Sequence, residues 1–188
     1  MKIHTHKTAL PDLLTIEIDY LKDKRGFFTE PWNEREFKEA GLDLKFKQEG
    51  HSRSVKNVLR GLHYQDMTAP MGKLVRCVVG SVFDVAVDLR IGSPTFGQWE
   101  GIELSAENGK LLYVPVGFAH GFLVTSDYAE IIYKMTTYYT PSSEGSIIWN
   151  DNDLKVKWPV TSPILSEKDE RAPTLKDYLK NPSFTYEK

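Results

Sequence analysis

The chain has 188 residues, with 24 Lys and Arg against 26 Asp and Glu and a formal net charge of −2. At about 100–200 residues per domain, one domain over 1–188 is the expectation, and the near-balance of charge excludes a strongly basic nucleic-acid surface. The single cysteine, Cys77, excludes an intramolecular disulfide framework and a cysteine-rich zinc site. No run approaches the ~18 apolar residues of a membrane span. Asp12, Glu17 and Asp19 break up the N-terminal segment where a signal peptide would be basic and then apolar. The expectation is a cytoplasmic protein with neither a membrane nor a nucleic acid as partner.

In chain order, Leu14–Ile18 reads as a strand. Asn33-Glu34-Arg35-Glu36 reads as a capping box opening a short helix, with Asn33 as N-cap, Glu36 reaching back and Gly41 as the closing glycine. Strands are then expected over Phe46–Glu49, Val58–Tyr64, Lys73–Val79 and Val82–Leu89. The last alternates, with Phe83, Val85, Val87 and Leu89 on one face and Val82, Asp84, Ala86 and Asp88 on the other. Gly80-Ser81 predicts a two-residue hairpin joining these two strands. Further strands fall at Trp99–Leu104, Leu111–Val114, Gly121–Val124 and Glu130–Met135. A second short helix follows Pro173-Thr174 and runs through Tyr178, within an irregular, proline-punctuated arm that begins near 159. Many short strands and few helices predict a mainly β fold, a sandwich or barrel.

Four segments carry more polar chemistry than a plain sandwich needs: Arg25–Glu30, Arg60–Gln65, Pro115–Phe122, and Tyr133-Lys134 with Tyr138-Tyr139. In Arg60–Gln65, strand alternation puts Arg60, Leu62 and Tyr64 on one face and Gly61, His63 and Gln65 on the other. An inward His and Gln suit a polar pocket, or simply a hydrogen-bonded core. Gly109, Pro115, Gly117 and His120 have the spacing of the second motif of cupin β barrels, which places a histidine inside the barrel. The metal-binding version pairs this with His-x-His and a following Glu, whereas this chain has His63-Tyr64-Gln65 and no such Glu. Glutamine is a poor ligand for zinc or iron, and two histidines fall short of the three protein ligands of catalytic zinc. The reading is a cupin-type (jelly-roll) β barrel with a few short helices, whose cage is used without a metal.

The chain resembles the dTDP-4-dehydrorhamnose 3,5-epimerase family. The matching segments run from Arg25-Gly26-Phe27-Phe28-x-Glu30 through Arg60-Gly61-Leu62-His63-x-Gln65, Lys73-Leu74-Val75-Arg76 and Asp84-Val85-x-Val87-Asp88-x-Arg90. They continue through Ser93–Gly97, Pro115-x-Gly117-Phe118-Ala119-His120-Gly121-Phe122, Tyr133-Lys134-x-Thr136, Ile148–Asp151 and Leu165-Ser166-x-Lys168-Asp169. The chain departs from the family at Gln48-Glu49-Gly50, where Gln-x-Asn is usual, at Asn57 in place of a turn glycine, and at Asp151-Asn152 in place of Asp-Pro. The resemblance implies a homodimeric barrel that uses no cofactor and no metal and acts on a dTDP-linked 4-ketosugar.

Inverting a carbon beside a ketone needs a base on one face, a stabiliser for the enolate and an acid on the other face. His63 suits the base, since its ordinary pKa of ~6.5 makes it competent near neutrality. By resemblance, Asp169 orients it, Tyr133 is the acid, Lys73 steadies the developing oxyanion and His120 contacts the sugar. Arg60 and Lys168 are candidates for the diphosphate. Arg25, Glu30 and Gln48 match residues at the nucleotide end, some supplied by the partner subunit. Phe27 and Tyr139 suit stacking on the base, and Glu144 the sugar nucleotide. Each also has a plainer reading: Asp169 as a loop cap, Tyr133 as barrel lining, Lys73 as a solvated strand-edge lysine and the other charges as solvated surface. The implied reaction converts dTDP-4-dehydro-6-deoxy-D-glucose to dTDP-4-dehydro-L-rhamnose. Alternatives are a C3-only or C5-only epimerase, a metal-dependent cupin, a 3,4-isomerase on the same barrel and a non-catalytic sugar-nucleotide binder.

Overall fold

A computed structural model describes residues 1–186. The strands are β1 (Ile3–Lys7), β2 (Leu14–Ile18), β3 (Leu21–Asp23), β4 (Gly26–Phe28), β5 (Gln48–Val55), β6 (Leu59–Gln65) and β7 (Lys73–Val79). They continue with β8 (Ser81–Asp88), β9 (Trp99–Ser105), β10 (Leu111–Val114), β11 (Phe118–Val124), β12 (Tyr128–Met135) and β13 (Glu144–Ser146). The helices are α1 (Glu34–Glu39), α2 (Glu167–Glu170) and α3 (Leu175–Tyr178). Two antiparallel sheets, β1-β2-β10-β7-β12-β5 and β13-β6-β11-β8-β9, stack face to face, and β3-β4 forms a separate small hairpin. This is the mainly β, jelly-roll type of architecture expected from the sequence.

Three apolar layers hold the sheets. Between them lie Val75 and Cys77 of β7, Val82 and Ala86 of β8, Leu112 of β10, Phe122 of β11 and Ile131 of β12. The outer face of the five-stranded sheet presents Leu62, Val85, Val87 and Ala119, which the C-terminal arm covers with Leu154, Leu175, Tyr178 and Phe184. Phe37 of α1 packs with Ile16, Ile18, Leu74 and Leu111 against the other sheet. Both faces of β8 are therefore buried, and Asp84 is left pointing between the sheets.

The Gly80-Ser81 hairpin expected from the sequence does not form. β7 pairs with β10 and β12, while β8 pairs with β9 and β11. Gly80, at φ 72°, instead turns the chain from one sheet to the other. The local signal for a tight turn was right, but pairing is a tertiary decision. β5 is twice as long as expected because its sequence, QEGHSRSV, carries polar residues on both faces; one face looks into the interior cavity and the other to solvent. β1, at the far edge of the same sheet, is polar because most of it is exposed to solvent. α1 has its predicted cap, with the Asn33 side chain accepting from the Glu36 amide, and Gly41 ends it at φ 86°. α3 starts at Thr174, in a reciprocal cap with Asp177.

Candidate active site

A cavity of about 610 Å³ opens between the sheets. Ten of the expected site residues line it: His63, Tyr133, Asp169, Lys73, Gln48, Arg60, His120, Tyr139, Glu144 and Lys168. They come from β5, β6, β7, β11, β12, β13, α2 and the loop after β12.

β6 reaches the cavity through an irregularity that simple alternation misses. His63 pairs with His120, but Arg60 pairs with Phe122, so β6 carries one extra residue between them. Gly61 (φ 134°) sits there against the backbone of Gly121, where a Cβ would collide. The extra residue shifts the parity. Arg60 and His63, expected on opposite faces, both line the cavity. Arg60 Nε donates to Ser54 Oγ at 3.0 Å.

Nε2 of His63 and Oδ1 of Asp169 are 2.6 Å apart, and Asp169 is 3% exposed. The chain returns to this point because the segment after Pro163 lies parallel to the start of β6, through Leu59 N–H to Ile164 O (3.0 Å) and Ile164 N–H to Asn57 O (2.8 Å). Ser166 then caps the one-turn helix α2: its Oγ accepts from the Asp169 amide and donates to Asp169 Oδ2. Asp169 is thus a helix-capping partner and a histidine partner at once. Burial works to raise its carboxyl, and the His63 hydrogen bond and charge, with Ser166 and Lys168, outweigh it, so the group stays below the ordinary carboxylate range. An ionised Asp169 accepts a hydrogen bond from Nε2–H, which leaves Nδ1 of His63 with its lone pair.

Across the cavity, the opposite sheet supplies Tyr133 and Lys73. Burial lowers the Lys73 ammonium to about 8 against the opposing charges of Asp84 and Glu144. Asp84, fully buried, holds Nε2 of His120 at 2.7 Å and keeps its second oxygen unpartnered. Glu144 accepts from the Tyr139 hydroxyl at 2.7 Å and pairs with Lys168. Gln48 accepts from the Tyr139 amide at 2.9 Å.

The former cage positions are spoken for. Gln65 is buried, donates to the carbonyls of Ala69 and Tyr138 and accepts from Thr140 N–H. It holds the loop before β7, not a ligand. Among the described residues, no three His, Cys, Asp or Glu side chains come together as a metal site.

Arg25, Phe27 and Glu30 are not brought to this cavity. They lie on and just after the β3–β4 hairpin, where Arg25 pairs with Asp23 and its side chain is 84% exposed. Phe27 is 63% exposed and touches Tyr20 edge-on. Within one chain these residues cannot serve the pocket. Sequence reasoning also missed Gly50, Ser166 and Asp84 as parts of the site. The Ser166-x-x-Asp169 spacing was a readable capping signal for the second of these; Gly50 had no local signal.

A family model described as dTDP-4-dehydrorhamnose 3,5-epimerase matches residues 7–177. The chain belongs to this family. It is 56% identical over 175 residues to the dTDP-4-dehydrorhamnose 3,5-epimerase of Salmonella typhimurium, covering 92% of this chain and 96% of the relative. The crystal structure of dTDP-6-deoxy-D-glucose-3,5-epimerase from Legionella pneumophila, in complex with dTDP-4-keto-L-rhamnose, superposes with a TM-score of 0.94 at 44% identity, covering 99% of this chain and 100% of that one. A 3′-monoepimerase from Streptomyces bikiniensis in complex with dTDP-quinovose gives a TM-score of 0.90 at 34% identity, covering 96% and 92%. No helix of the described residues is long and apolar enough to cross a membrane.

Proposed function

We propose that this epimerase inverts C3 and C5 of dTDP-4-dehydro-6-deoxy-D-glucose, giving dTDP-4-dehydro-L-rhamnose, by proton transfer without a cofactor or metal. The observation that carries this reading is that His63 and Tyr133 enter one cavity from opposite sheets. A flat enolate bound between them would meet a base on one face and an acid on the other.

Nδ1 of His63, freed by the Asp169 bond at Nε2, takes the proton from the carbon beside the ketone. The electron pair moves onto the 4-oxygen, where the Lys73 ammonium opposes the growing negative charge. The Tyr133 phenol, entering from the opposite sheet, returns its proton to the opposite face. Solvent then resets both groups. His120, steadied by Asp84, contacts the sugar. Arg60 and Lys168 face the diphosphate, Gln48, Tyr139 and Glu144 the nucleotide end. Arg25, Phe27 and Glu30 reach the site of a second subunit in a homodimer. Their exposure on a projecting hairpin supports that assignment.

The test is incubation with the 4-ketosugar nucleotide in D₂O, reading deuterium at each sugar carbon. Label at C3 and C5, with an L-rhamnose nucleotide trapped by a reductase, supports the proposal. Label and inversion at one carbon only would replace it with a single-site epimerase, the second reading that the likeness to a 3′-monoepimerase keeps open. His63→Ala and Tyr133→Phe that abolish turnover but spare dTDP binding exclude a non-catalytic binder.

A further inference from the structure

Tyr133 and Gly50 are a registered pair across the β12–β5 ladder, and both line the cavity. In an ordinary strand pair the opposed side chains stand beside each other, with Cβ atoms about 4.5–5.5 Å apart. Here the phenol leans over bare backbone instead. A methyl group on Gly50 would lie 2.6 Å from Cζ, 2.7 Å from Cε2 and 2.8 Å from the hydroxyl oxygen of Tyr133. Carbon contacts settle at about 3.5–4.0 Å, so any side chain at position 50 displaces the ring tip by about 1 Å.

The backbone does not require this glycine. Gly50 is not among the residues with positive φ, and a glycine inside a strand weakens it. What yields to a side chain at position 50 is the end of a rotatable tyrosine, not the sheet.

We propose that Gly50 is a positioning residue for Tyr133: it lets the phenol settle against β5 and thereby sets how proton return divides between C3 and C5. The two carbons flank one carbonyl, so a single phenol that shifts sideways approaches one as it leaves the other. This rests on the assignment of Tyr133 as the acid.

The experiment compares wild type, Gly50→Ala, Gly50→Asn, Tyr133→Phe and Gly50→Ala/Tyr133→Phe on dTDP-4-dehydro-6-deoxy-D-glucose in D₂O, reading kcat, KM and the C5-to-C3 deuterium ratio. Because misplacing a reacting group by ~1 Å costs up to about 100-fold, the two Gly50 variants should shift the label ratio at least about five-fold, with KM changed less than about two-fold. Thermal melting should be unchanged or raised. In the Tyr133→Phe background, Gly50→Ala should add nothing. An unchanged ratio and kcat in Gly50→Ala, or an equal effect with Phe at 133, overturns the proposal. Full turnover by Tyr133→Phe alone overturns the acid assignment, and the proposal with it, and is read separately from the single variant.

Discussion

His63 and Asp169 are 106 positions apart in sequence and 2.6 Å apart in the fold. The carboxylate selects the tautomer in which Nδ1 is free, so in the proposed mechanism its charge and its geometry both serve His63 as the base. Asp169→Asn keeps the shape and loses the charge. Its kcat should fall by about 100-fold, within the range that a positioned general base contributes, while dTDP affinity stays within two-fold. Steady-state kinetics with calorimetric titration of dTDP checks this; unchanged kcat would sink the pairing.

In the proposed mechanism Lys73 ties rate to pH. Its ammonium is then the useful form, and burial lowers it to about 8. The kcat/KM profile of the free enzyme should therefore fall as pH rises through about 8. The stability effect has the opposite sign. Between about pH 8 and the ordinary lysine value of ~10.4 the unfolded chain binds the proton and the folded chain does not, so stability rises with pH across that window. Lys73→Met should melt higher than wild type near neutrality and lose most turnover. A variant that melts lower, or that keeps the wild-type pH profile, contradicts this.

Arg90 is a structural ion in the same segment pattern. It is held by Asp88 at 2.9 Å and Asp12 at 2.7 Å, over the Phe118 ring at 4.6 Å. Asp88 is fully buried. Burial pushes its carboxyl up, and Arg90 with the Ser93 and Thr95 hydroxyls more than offsets this, leaving it below the ordinary value. Arg90→Ala strands that carboxylate and should cost about 3–5 kcal/mol, measured by urea unfolding. A depressed carboxylate stabilises the fold above its unfolded pKa of about 4 and stops doing so as pH falls through the lower folded value. The gap between wild type and Arg90→Ala should close in that acidic window.

The exposed hairpin predicts subunit complementation. If Arg25 and Glu30 serve the partner's cavity, His63→Ala and Arg25→Ala/Glu30→Ala are each inactive alone. Mixed dimers put both defects in one site and none in the other. Co-refolding the two should restore activity toward half the wild-type value per site in the mixed dimer. No recovery in dimers shown to be mixed rules out the shared site.

Gln65 predicts indifference to chelation. Its amide is held by three backbone groups, both N–H donors being used. Prolonged dialysis against EDTA should leave kcat unchanged; loss that zinc or iron restores would favour the metal-dependent cupin.

The sequence alone determined the class of fold and the family. Alternation in β8 sorted Phe83, Val85, Val87 and Leu89 from Val82, Asp84, Ala86 and Asp88. The spacing Gly109, Pro115, Gly117, His120 marked the barrel histidine, and the ordered motifs from Arg25 to Asp169 carried the family. These signals are legible because side-chain periodicity and turn chemistry are local. Which strands pair is not local. Gly80 looked like a hairpin turn and is a corner between sheets, because the apolar faces of β7 and β8 bury better against each other than edge to edge. The extra residue at Gly61–Leu62 turned Arg60 to the side of His63, and only the neighbouring backbone of Gly121 dictates it. Gly50 acquires a role only once Tyr133 lies on it. Asp169 reaches His63 only because the proline-rich arm docks on β6. Contacts between residues distant in sequence are set by packing of the whole chain, and they decided the geometry that local pattern could not.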